Sequence, residues 1–585
     1  MPPFRALFSY LLLFAFFSTA SALAELSPER KAVWSHLLHF HNDRPLIEGP
    51  AFLLTESEAS LEQLRQLSID LLLSDPASRC RFPARYITLV REGAIERAGL
   101  EECTEYQEFV RRVPVDTISV IFASEHLTQP SSIMGHVMLA MSGDNANGQN
   151  VEHAASFFTT LDFANPASFI AQTLITGKEG YFIVQPLSES LNNYLYTEQR
   201  NVWRYPLELT VRQRELMQAH MWELGGIDIP YLFQSHNCAT LSLDLIRLAV
   251  NDPDTRRDWV SPIDVVRYSD RHKLFSEKRV LASDRWQVSM LQEFMTDDDV
   301  DLVDVWISND RQGTGAQPQT AMTRRLAKVL ARYRVTQGQM PSEQYQRLSG
   351  TFSEWESTEL ELTDYRDPLK SAADAHISLG YQHDAGSDWI TFGWLPAAHD
   401  LMDNNRNYFG ESTLRLSDIR LRASTENGRV QLERWTLYET LALNPWNRLT
   451  GGVSGYFHMR FDRDPLDSLK SDLGFATEGG VGVSIKPARD IGVFALIGAG
   501  IRADTNNLDA FLHPQLGMWI YEVGGMNSWL RAGTRPSTSG DSRAYVAFDH
   551  SIEVLSTGLL TFAAERAYLD GETRNQLDAG FRYYF

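Results

Sequence analysis

The C-terminal nine residues, Leu577-Asp-Ala-Gly-Phe-Arg-Tyr-Tyr-Phe585, show the pattern that decides the fold of the second half of the chain. Successive side chains of a β-strand point to opposite faces of the sheet. One face therefore carries Leu577, Ala579, Phe581, Tyr583 and Phe585, and the other carries Asp578, Gly580, Arg582 and Tyr584. The pattern predicts a strand with one apolar face and one more polar face.

The same alternation recurs from about Asp374 to the C-terminus. We count about twelve such segments of roughly ten to fifteen residues, separated by Gly, Asp, Asn, Pro and Ser. Residues 429–443, RVQLERWTLYETLAL, and residues 492–503, GVFALIGAGIRA, are two of them. This texture predicts a C-terminal antiparallel transmembrane β-barrel of about 12 strands over residues 371–585.

A soluble β-sandwich also alternates and is the alternative fold. The segments are long, the turns are short, and aromatic residues lie near segment ends, where a girdle at the membrane interface would place them. These aromatic residues are Trp519, Tyr521, Trp529, Tyr545 and Tyr568. The terminal aromatic residue resembles the assembly signal of bacterial outer-membrane proteins, so we expect outer-membrane lipids and the assembly machinery of that membrane as partners.

The first 24 residues have the features of a secretory signal peptide. Arg5 precedes an apolar run from Ala6 to Phe17, and small residues end the segment at Ala22-Leu-Ala24. The run is too short to span a bilayer, so cleavage after Ala24 is predicted. We therefore place the protein in the outer membrane of a Gram-negative bacterium, with its N-terminal domains in the periplasm.

The charge and the length of the chain restrict its class. A net charge of -21 argues against a nucleic-acid partner, because binding to phosphates depends on clustered Lys and Arg. The 585 residues exceed a single core and predict about three or four domains.

Three regions precede the predicted barrel. Residues 25–112 are predicted to be helical, because leucines recur at spacings of three and four in residues 57–73, SEASLEQLRQLSIDLLL. Residues 113–255 combine short β-rich runs with amphipathic helices and predict an α+β domain. Residues 256–370 are charged and mostly helical, as in residues 320–335, TAMTRRLAKVLARYRV, and predict a solvated helical linker.

The three cysteines predict one disulfide and one free thiol. Exported cysteines tend to pair, and Cys80 and Cys103 are the closer pair along the chain. We predict a Cys80–Cys103 disulfide, which leaves Cys238 reduced. An unpaired thiol in an exported protein is a candidate reactive group.

Cys238 lies in residues 233–246, FQSHNCATLSLDLI, where Asn237 precedes an amphipathic run. The thiol would then lie in the first turn of a helix, whose N–H groups and partial positive charge favour a thiolate and a developing oxyanion. A thiol of ordinary pKa, about 8.5, also needs a base near neutrality. His136, after Gly135 and at the start of a predicted strand, is the leading candidate for that base.

The supporting residues are less well defined by the sequence. A histidine base needs a partner to hold its tautomer, and His153 or Glu152 on the next predicted strand could supply it. Asn237 and Ser235 would support the oxyanion or cap the helix. No HxH, HExxH or CxxC spacing is present, so neither a metal site nor a cofactor is predicted.

Five motifs in this order resemble one known family. They are SSIMGHVMLAM, VEHAASF, GKEGYFIVQPL, EQRNVWRYPLEL and FQSHNCATLSLDLI, within residues 115–250 approximately. The series resembles the DUF4105 family, the periplasmic domain at the N-terminus of Lnb-type lipoprotein N-acyltransferases. This sequence has Met-Gly-His where the family favours Phe-Gly-His, and it lacks the arginine that usually follows the histidine.

The resemblance implies a permuted papain-like, NlpC/P60-related fold in which Cys238 is the nucleophile, His136 the base and His153 the third residue. It implies a thioester-forming acyltransferase or hydrolase that acts on lipids or lipoproteins. Three alternatives remain open. They are a peptidoglycan peptidase or amidase of NlpC/P60 type, a non-catalytic binding or assembly module of the cell envelope, and a barrel that acts as a pore.

Overall fold

The structure is a computed structural model of the chain. It describes residues 26–42, 44–125, 134–159, 176–232, 236–250, 252, 259–309, 316–355, 367–404, 411–464, 472–488, 490–505, 507–523, 525–540, 542–569 and 571–585. The predicted signal peptide, residues 1–24, and Ser235 lie outside the described residues.

Residues 26–112 are mainly helical. The elements in chain order are α1 (Pro28–Leu37), β1 (Phe40–His41), β2 (Arg44–Pro45), α2 (Pro50–Leu53), α3 (Leu61–Ser74), α4 (Pro83–Arg91) and α5 (Thr104–Arg112). Ser60 begins α3 with a capping box, in which its hydroxyl accepts from the N–H of Gln63 and the Gln63 side chain accepts from the N–H of Ser60. Cys80 and Cys103 form the predicted disulfide, with 5.1 Å between their Cα atoms.

An antiparallel seven-stranded sheet forms the centre of the next region. Its strands and the helices around it are β3 (Thr117–Ala123), β4 (His136–Asp144), β5 (Asn150–Phe158), β6 (Lys178–Pro186), α6 (Leu187–Asn192), β7 (Val202–Pro206), α7 (Val211–Leu224), β8 (Ile229–Tyr231), α8 (Cys238–Val250), α9 (Pro262–Arg271) and β9 (Arg279–Leu281). The strand order is β8-β6-β5-β4-β3-β7-β9. Helices α8 and α9 cover one face of this sheet, α7 packs on α8, and α6 covers part of the other face.

The core of this sheet extends beyond the predicted boundaries at residues 112 and 255. Trp34 of α1, Leu89 of α4, Val137 of β4, Ile246 of α8 and Val265 of α9 belong to one buried cluster. Strand β9 also adds to the sheet edge through β7. The first helices, the sheet and α9 therefore form a single packed unit, because the helices of residues 26–112 bury their apolar faces on α7 and α8.

A second, smaller core follows in residues 284–353. It is built by α10 (Asp284–Glu293), α11 (Asp297–Ser308), α12 (Ala321–Thr336) and α13 (Ser342–Ser353). Trp286, Leu330 and Phe352 are buried in it, together with Leu449 from a loop of the C-terminal region. This helical unit therefore has its own core, and it packs against the barrel.

The C-terminal region is a closed antiparallel barrel of twelve strands, counted over the described residues. Its strands are β10 (His376–Asp384), β11 (Ser387–Leu395), β13 (Glu411–Ser424), β14 (Val430–Leu443), β15 (Ser454–Asp462), β16 (Gly474–Ala488), β17 (Ile491–Ala503), β18 (Leu508–Val523), β19 (Met526–Pro536), β20 (Ser542–Leu555), β21 (Gly558–Leu569) and β22 (Glu572–Tyr584). The short β12 (Ala397–His399) continues β11 after Pro396 and also pairs with β13. Pairing of β10 with β22, and of β11 with β13, closes the ring and leaves no free edge.

The last strand has the predicted orientation. Leu577 and Tyr583 are exposed on the outer wall, whereas Arg582 and Tyr584 bond to Asp403 inside the barrel. The outer wall is apolar around the barrel, as an outer-membrane protein requires. The first and last strands both meet the N-terminal regions at one end, which is therefore the periplasmic end.

The aromatic residues that suggested a girdle lie mostly inside the barrel, which corrects that interpretation. Trp519 is fully buried in an interior cluster with Phe494 and Leu496, and Trp529 packs against this cluster. The Tyr545 hydroxyl contacts His513 in the interior. Of the five aromatic residues that suggested the girdle, Tyr568 is exposed on the outer wall.

The interior of the barrel is filled by paired charges and by part of the chain. Residues 400–404, after β12, fold into the periplasmic end, where Leu401 is fully buried in the interior apolar cluster. Asn527 donates to the carbonyl oxygen of Asp403 at 2.8 Å, and Ser551 donates to that of Met402 at 2.6 Å. These bonds tie the segment to β19 and β20 on the inner side of the barrel.

Among the described residues, no helix is long and apolar enough to cross a membrane.

Candidate functional site

Cys238 is the first residue of α8, as the sequence predicts. The Asn237 side chain caps this helix, because its Oδ1 accepts from the N–H groups of Ala239 at 2.9 Å and Thr240 at 3.0 Å. Its amide also donates to the carbonyl oxygen of Val260 at 3.2 Å, which fixes the helix start against the segment before α9. In this structure Asn237 therefore acts as a helix cap.

The Cys238 thiol is buried beneath the end of the sheet and is 5% exposed. Burial raises its pKa, although the N–H groups of Val137 and Ala239 and the positive charge of Arg200 oppose that shift. Burial, followed by the nearby Cys238, raises the pKa of Tyr231. The helix start thus supplies the expected stabilisation of a thiolate, but desolvation outweighs it and the resting group is a thiol.

His136 is the first residue of β4 and follows Gly135, whose φ of +87° favours glycine. A Cβ at Gly135 would meet the carbonyl oxygen of Ala123 at 2.7 Å, so the close approach of β3 requires this glycine. His136 Nε2 and Ser156 Oγ are hydrogen-bonded at 3.1 Å. Ser156 of β5 therefore orients the His136 ring through Nε2. The other ring nitrogen, Nδ1, does not bond to Ser156.

The environment of His136 keeps its imidazole neutral. Burial, followed by the positive charge of Arg200, lowers the pKa of His136 to about 3. Tyr194 lies against the ring, with 6.1 Å between the ring centroids. The imidazole is therefore unprotonated at neutral pH, and a pKa this far below neutrality makes it a weaker base than an ordinary histidine.

Cys238 and His136 meet at the same end of the sheet. The backbone N–H group of Val137, the residue after His136, is near enough to the Cys238 sulfur to lower the pKa of the thiol. The described contacts of the two side chains include no direct hydrogen bond between them. The thiol and the imidazole are both neutral at rest, so the described residues show no preformed thiolate–imidazolium ion pair.

Arg200 is a buried cation of this site that the sequence analysis did not identify. Its guanidinium donates to the carbonyl oxygens of Ser124 at 2.6 Å and Ala123 at 3.1 Å, and it pairs with Glu198 at 2.8 Å. It also lies over the Tyr194 ring, 4.8 Å from the centroid. Arg200 thus places a positive charge beside His136. The family's usual arginine, a few residues after the histidine, is missing from this sequence.

The structure does not bring His153 or Glu152 to His136. His153 is paired with Met141 in the β4–β5 register, and Met141 lies on the sheet face opposite to His136. Glu152 is on the His136 face but pairs with Ser142 at the far end of β4, where it bonds to Arg204 at 2.6 Å. Ser156 occupies the position expected for the orienting partner.

We expect alkylation of Cys238 by iodoacetamide to be slow at pH 7 and to rise with pH above the ordinary thiol range, about 8.5. The thiolate is the reactive form, and burial raises the pKa of Cys238, so less thiolate is present at neutrality. The measurement is the pH dependence of the alkylation rate in the full-length protein, with Cys238→Ala as background. A rate that is already constant at pH 5 to 6 would instead show a thiolate–imidazolium pair.

Models of two protein families match separate parts of the chain. Residues 105–272 match the Lnb N-terminal periplasmic domain, and residues 366–584 match DUF7840, a domain of unknown function. The first match begins in α5 and ends just after α9, in agreement with the shared core of this region. No curated protein matches the sequence.

Several solved outer-membrane proteins are distantly similar in structure. An outer membrane channel from Pseudomonas putida F1 has 12% identity and a TM-score of 0.25, and the match covers 39% of this chain and 100% of that chain. For the KdgM porin the values are 9% identity, a TM-score of 0.23, and 36% and 99% coverage. For the NanC porin they are 7% identity, a TM-score of 0.24, and 36% and 100% coverage.

These distant similarities say nothing about function. The strand pairing itself establishes the barrel. The pairing closes the ring, and the match to a periplasmic domain fixes the side of the membrane on which the sheet lies. The chain therefore joins a periplasmic domain, similar to the Lnb N-terminal periplasmic domain, to an outer-membrane β-barrel.

Proposed function

We propose that the periplasmic domain is a cysteine-dependent acyltransferase or hydrolase that acts through a thioester on Cys238. The observation that carries this proposal is the meeting of three features at one end of the sheet. They are the thiol at the start of α8, the Val137 N–H group that lowers the pKa of this thiol, and the oriented neutral imidazole of His136. A nucleophile, a base and backbone donors are the groups that acyl transfer needs.

The proposed reaction begins with general-base catalysis, since the resting pair is neutral. His136 takes the Cys238 proton as the sulfur attacks the carbonyl carbon of an ester. The C–O bond then breaks, and the imidazolium returns the proton to the leaving alcohol. An amine or water attacks the resulting thioester, the C–S bond breaks, and the departing thiolate recovers a proton through His136.

The same groups favour the charge that develops during attack. The N–H groups at the start of α8 carry partial positive charge, and the guanidinium of Arg200 is held nearby by two carbonyl oxygens and Glu198. Arg200 also disfavours the imidazolium form of His136, which promotes transfer of the proton onward to the leaving group. Ser156 is a positioning residue for the ring.

We infer a permuted papain-like arrangement, related to the DUF4105 and NlpC/P60 families, because the histidine strand precedes the cysteine helix in the chain. We further infer lipids or lipoproteins as substrates, since the barrel holds the site at the membrane. This inference is supported by the match to the Lnb N-terminal periplasmic domain.

The test compares a deletion strain that carries either the wild-type protein or Cys238→Ala. Mass spectrometry should show altered acylation of lipids or lipoproteins in the deletion strain, restored by the wild type and not by Cys238→Ala. A change confined to muropeptides would instead identify a peptidoglycan peptidase or amidase. Full restoration by Cys238→Ala would identify a non-catalytic envelope module.

A further inference from the structure

The end of the sheet that carries Cys238 and His136 contacts the wall of the barrel. Met134, two residues before His136, and Trp259, beside the Val260 that binds Asn237, pack against a cluster of barrel residues. The buried members of this cluster are Leu414, Leu416, Tyr438 and Met459. A small cleft beside this contact has Met134 and the barrel residue His399 in its lining.

Met134 and Trp259 pack against the outer surface of the barrel wall. Arg415 bonds to Glu439 and Asp400 within the filled interior. Leu414 and Leu416 flank Arg415 and therefore face outward, because neighbouring residues of a strand point to opposite faces. Leu414 is nevertheless only 1% exposed, whereas the outward-facing Leu512 of β18 is 54% exposed. The periplasmic domain thus covers a part of the surface that the rest of the barrel presents to lipid.

Two aromatic side chains are exposed at the same end of the sheet. Phe158 is the last residue of β5 and is 37% exposed, and Tyr181, its partner on β6, is 38% exposed. Their rings lie 6.0 Å apart. Phe158 is close to the level of His136, since β4 and β5 are antiparallel and Leu139 pairs with Ala155.

We propose that Phe158 and Tyr181 form a membrane-contacting patch that rests on the phospholipid surface of the periplasmic leaflet. The covered wall brings β3 and β4 to the side of the barrel, and β5 and β6 extend the sheet from there by two strand spacings, about 10 Å. The patch therefore continues the lipid-facing surface of the barrel. Tyr181 is an aromatic side chain with one polar end, which suits the membrane interface, and Phe158 adds apolar surface beside it.

This contact concerns the placement of the domain and does not depend on the proposed reaction. The contact would hold the end of the sheet that carries Cys238 against the bilayer. An acyl chain could then reach the thiol without crossing water. A catalytically inactive protein should show the same contact.

The test uses the full-length protein in vesicles of brominated phosphatidylcholine. A bimane label is attached to Phe158→Cys or, separately, Tyr181→Cys, each in a Cys238→Ser background. Val211→Cys is the matched control, because Val211 is an apolar residue, 59% exposed, at the start of α7 and at the opposite end of the sheet. Heat-modifiable gel migration confirms that each barrel is folded.

Labels at 158 and 181 should be quenched by the brominated lipid several-fold more strongly than the label at 211, and should be less accessible to iodide. Equal behaviour at all three positions would overturn the proposal. Protection from iodide without quenching by lipid would also overturn it, since it would show that protein covers the patch. The Cys238→Ser background keeps this result independent of catalysis.

Discussion

Replacing Cys238 with alanine is expected to abolish hydrolysis of p-nitrophenyl octanoate by the full-length protein, with a loss of about 10³-fold or more. The substitution removes the only proposed nucleophile. It also fills most of the same space at the start of α8, where Asn237 still caps the helix. The measurement is the steady-state rate of the purified protein in detergent micelles or vesicles.

Substitutions of three histidine and serine residues distinguish the proposed base, the residue that positions it, and a residue outside the site. His136→Gln should cost about 10²- to 10⁴-fold, as for loss of a general base. Ser156→Ala should have a smaller effect, and it should change the pH dependence of the rate because Ser156 orients the ring. His153→Ala should leave the rate unchanged, since His153 lies on the other face of the sheet. Unchanged hydrolysis by Cys238→Ala would contradict a cysteine mechanism.

Replacing Asp384 with alanine is expected to destabilise the barrel by about 3–5 kcal/mol, because it leaves two buried cations without their carboxylate. Asp384 ends β10 inside the barrel. It pairs with Arg422 at 2.9 Å and with Arg574 at 2.7 Å. The measurement is the denaturant dependence of unfolding in vesicles, followed by the heat-modifiable migration of the barrel.

The hairpin between β10 and β11 also supplies a control of the same residue type. Asp388 is exposed on β11 and pairs with His383 at 2.7 Å. Asp388→Ala should change the stability little, since contacts between exposed polar side chains contribute little. If the two variants lose equal stability, the charges inside the barrel are not desolvated as the structure shows.

The barrel was predictable from the sequence because its strands alternate in polarity and its turns are rich in Gly, Asp and Asn. The alternation fixes the two faces of each strand, as in residues 577–585, but it does not say which face is inside when both carry aromatic residues. Trp519 and Trp529 belong to the interior because residues 400–404 enter the lumen and bury Leu401 among apolar side chains. That packing depends on contacts far apart in the sequence.

The candidate site was partly predictable for similar reasons. The Asn237 cap and the glycine before His136 are local signals, and both residues have the predicted positions. Strand alternation could also have identified Ser156, which shares its face with Glu152 and not with His153. Arg200 could not be found, because its place beside His136 depends on the pairing of β3 with β7.

The predicted domain boundaries follow changes in composition, and such changes do not report shared cores. The chain does change from helices to strands near residue 113. The helices on both sides of that point nevertheless bury their apolar faces in one core. Similarly, β9 lies in a charged stretch that reads as a linker, but it pairs with β7 at the sheet edge. At both places the extent of the domain depends on tertiary packing, which the composition of the sequence does not show.

The central claim is that Cys238 carries the acyl group, and trapping that intermediate tests it most directly. The full-length protein would be incubated with p-nitrophenyl octanoate, acidified, digested and analysed by mass spectrometry. We predict an octanoyl group on the peptide that contains Cys238, labile to neutral hydroxylamine and absent from Cys238→Ala. Turnover of the ester with no acyl group on Cys238, or with an adduct that persists in Cys238→Ala, would contradict the account.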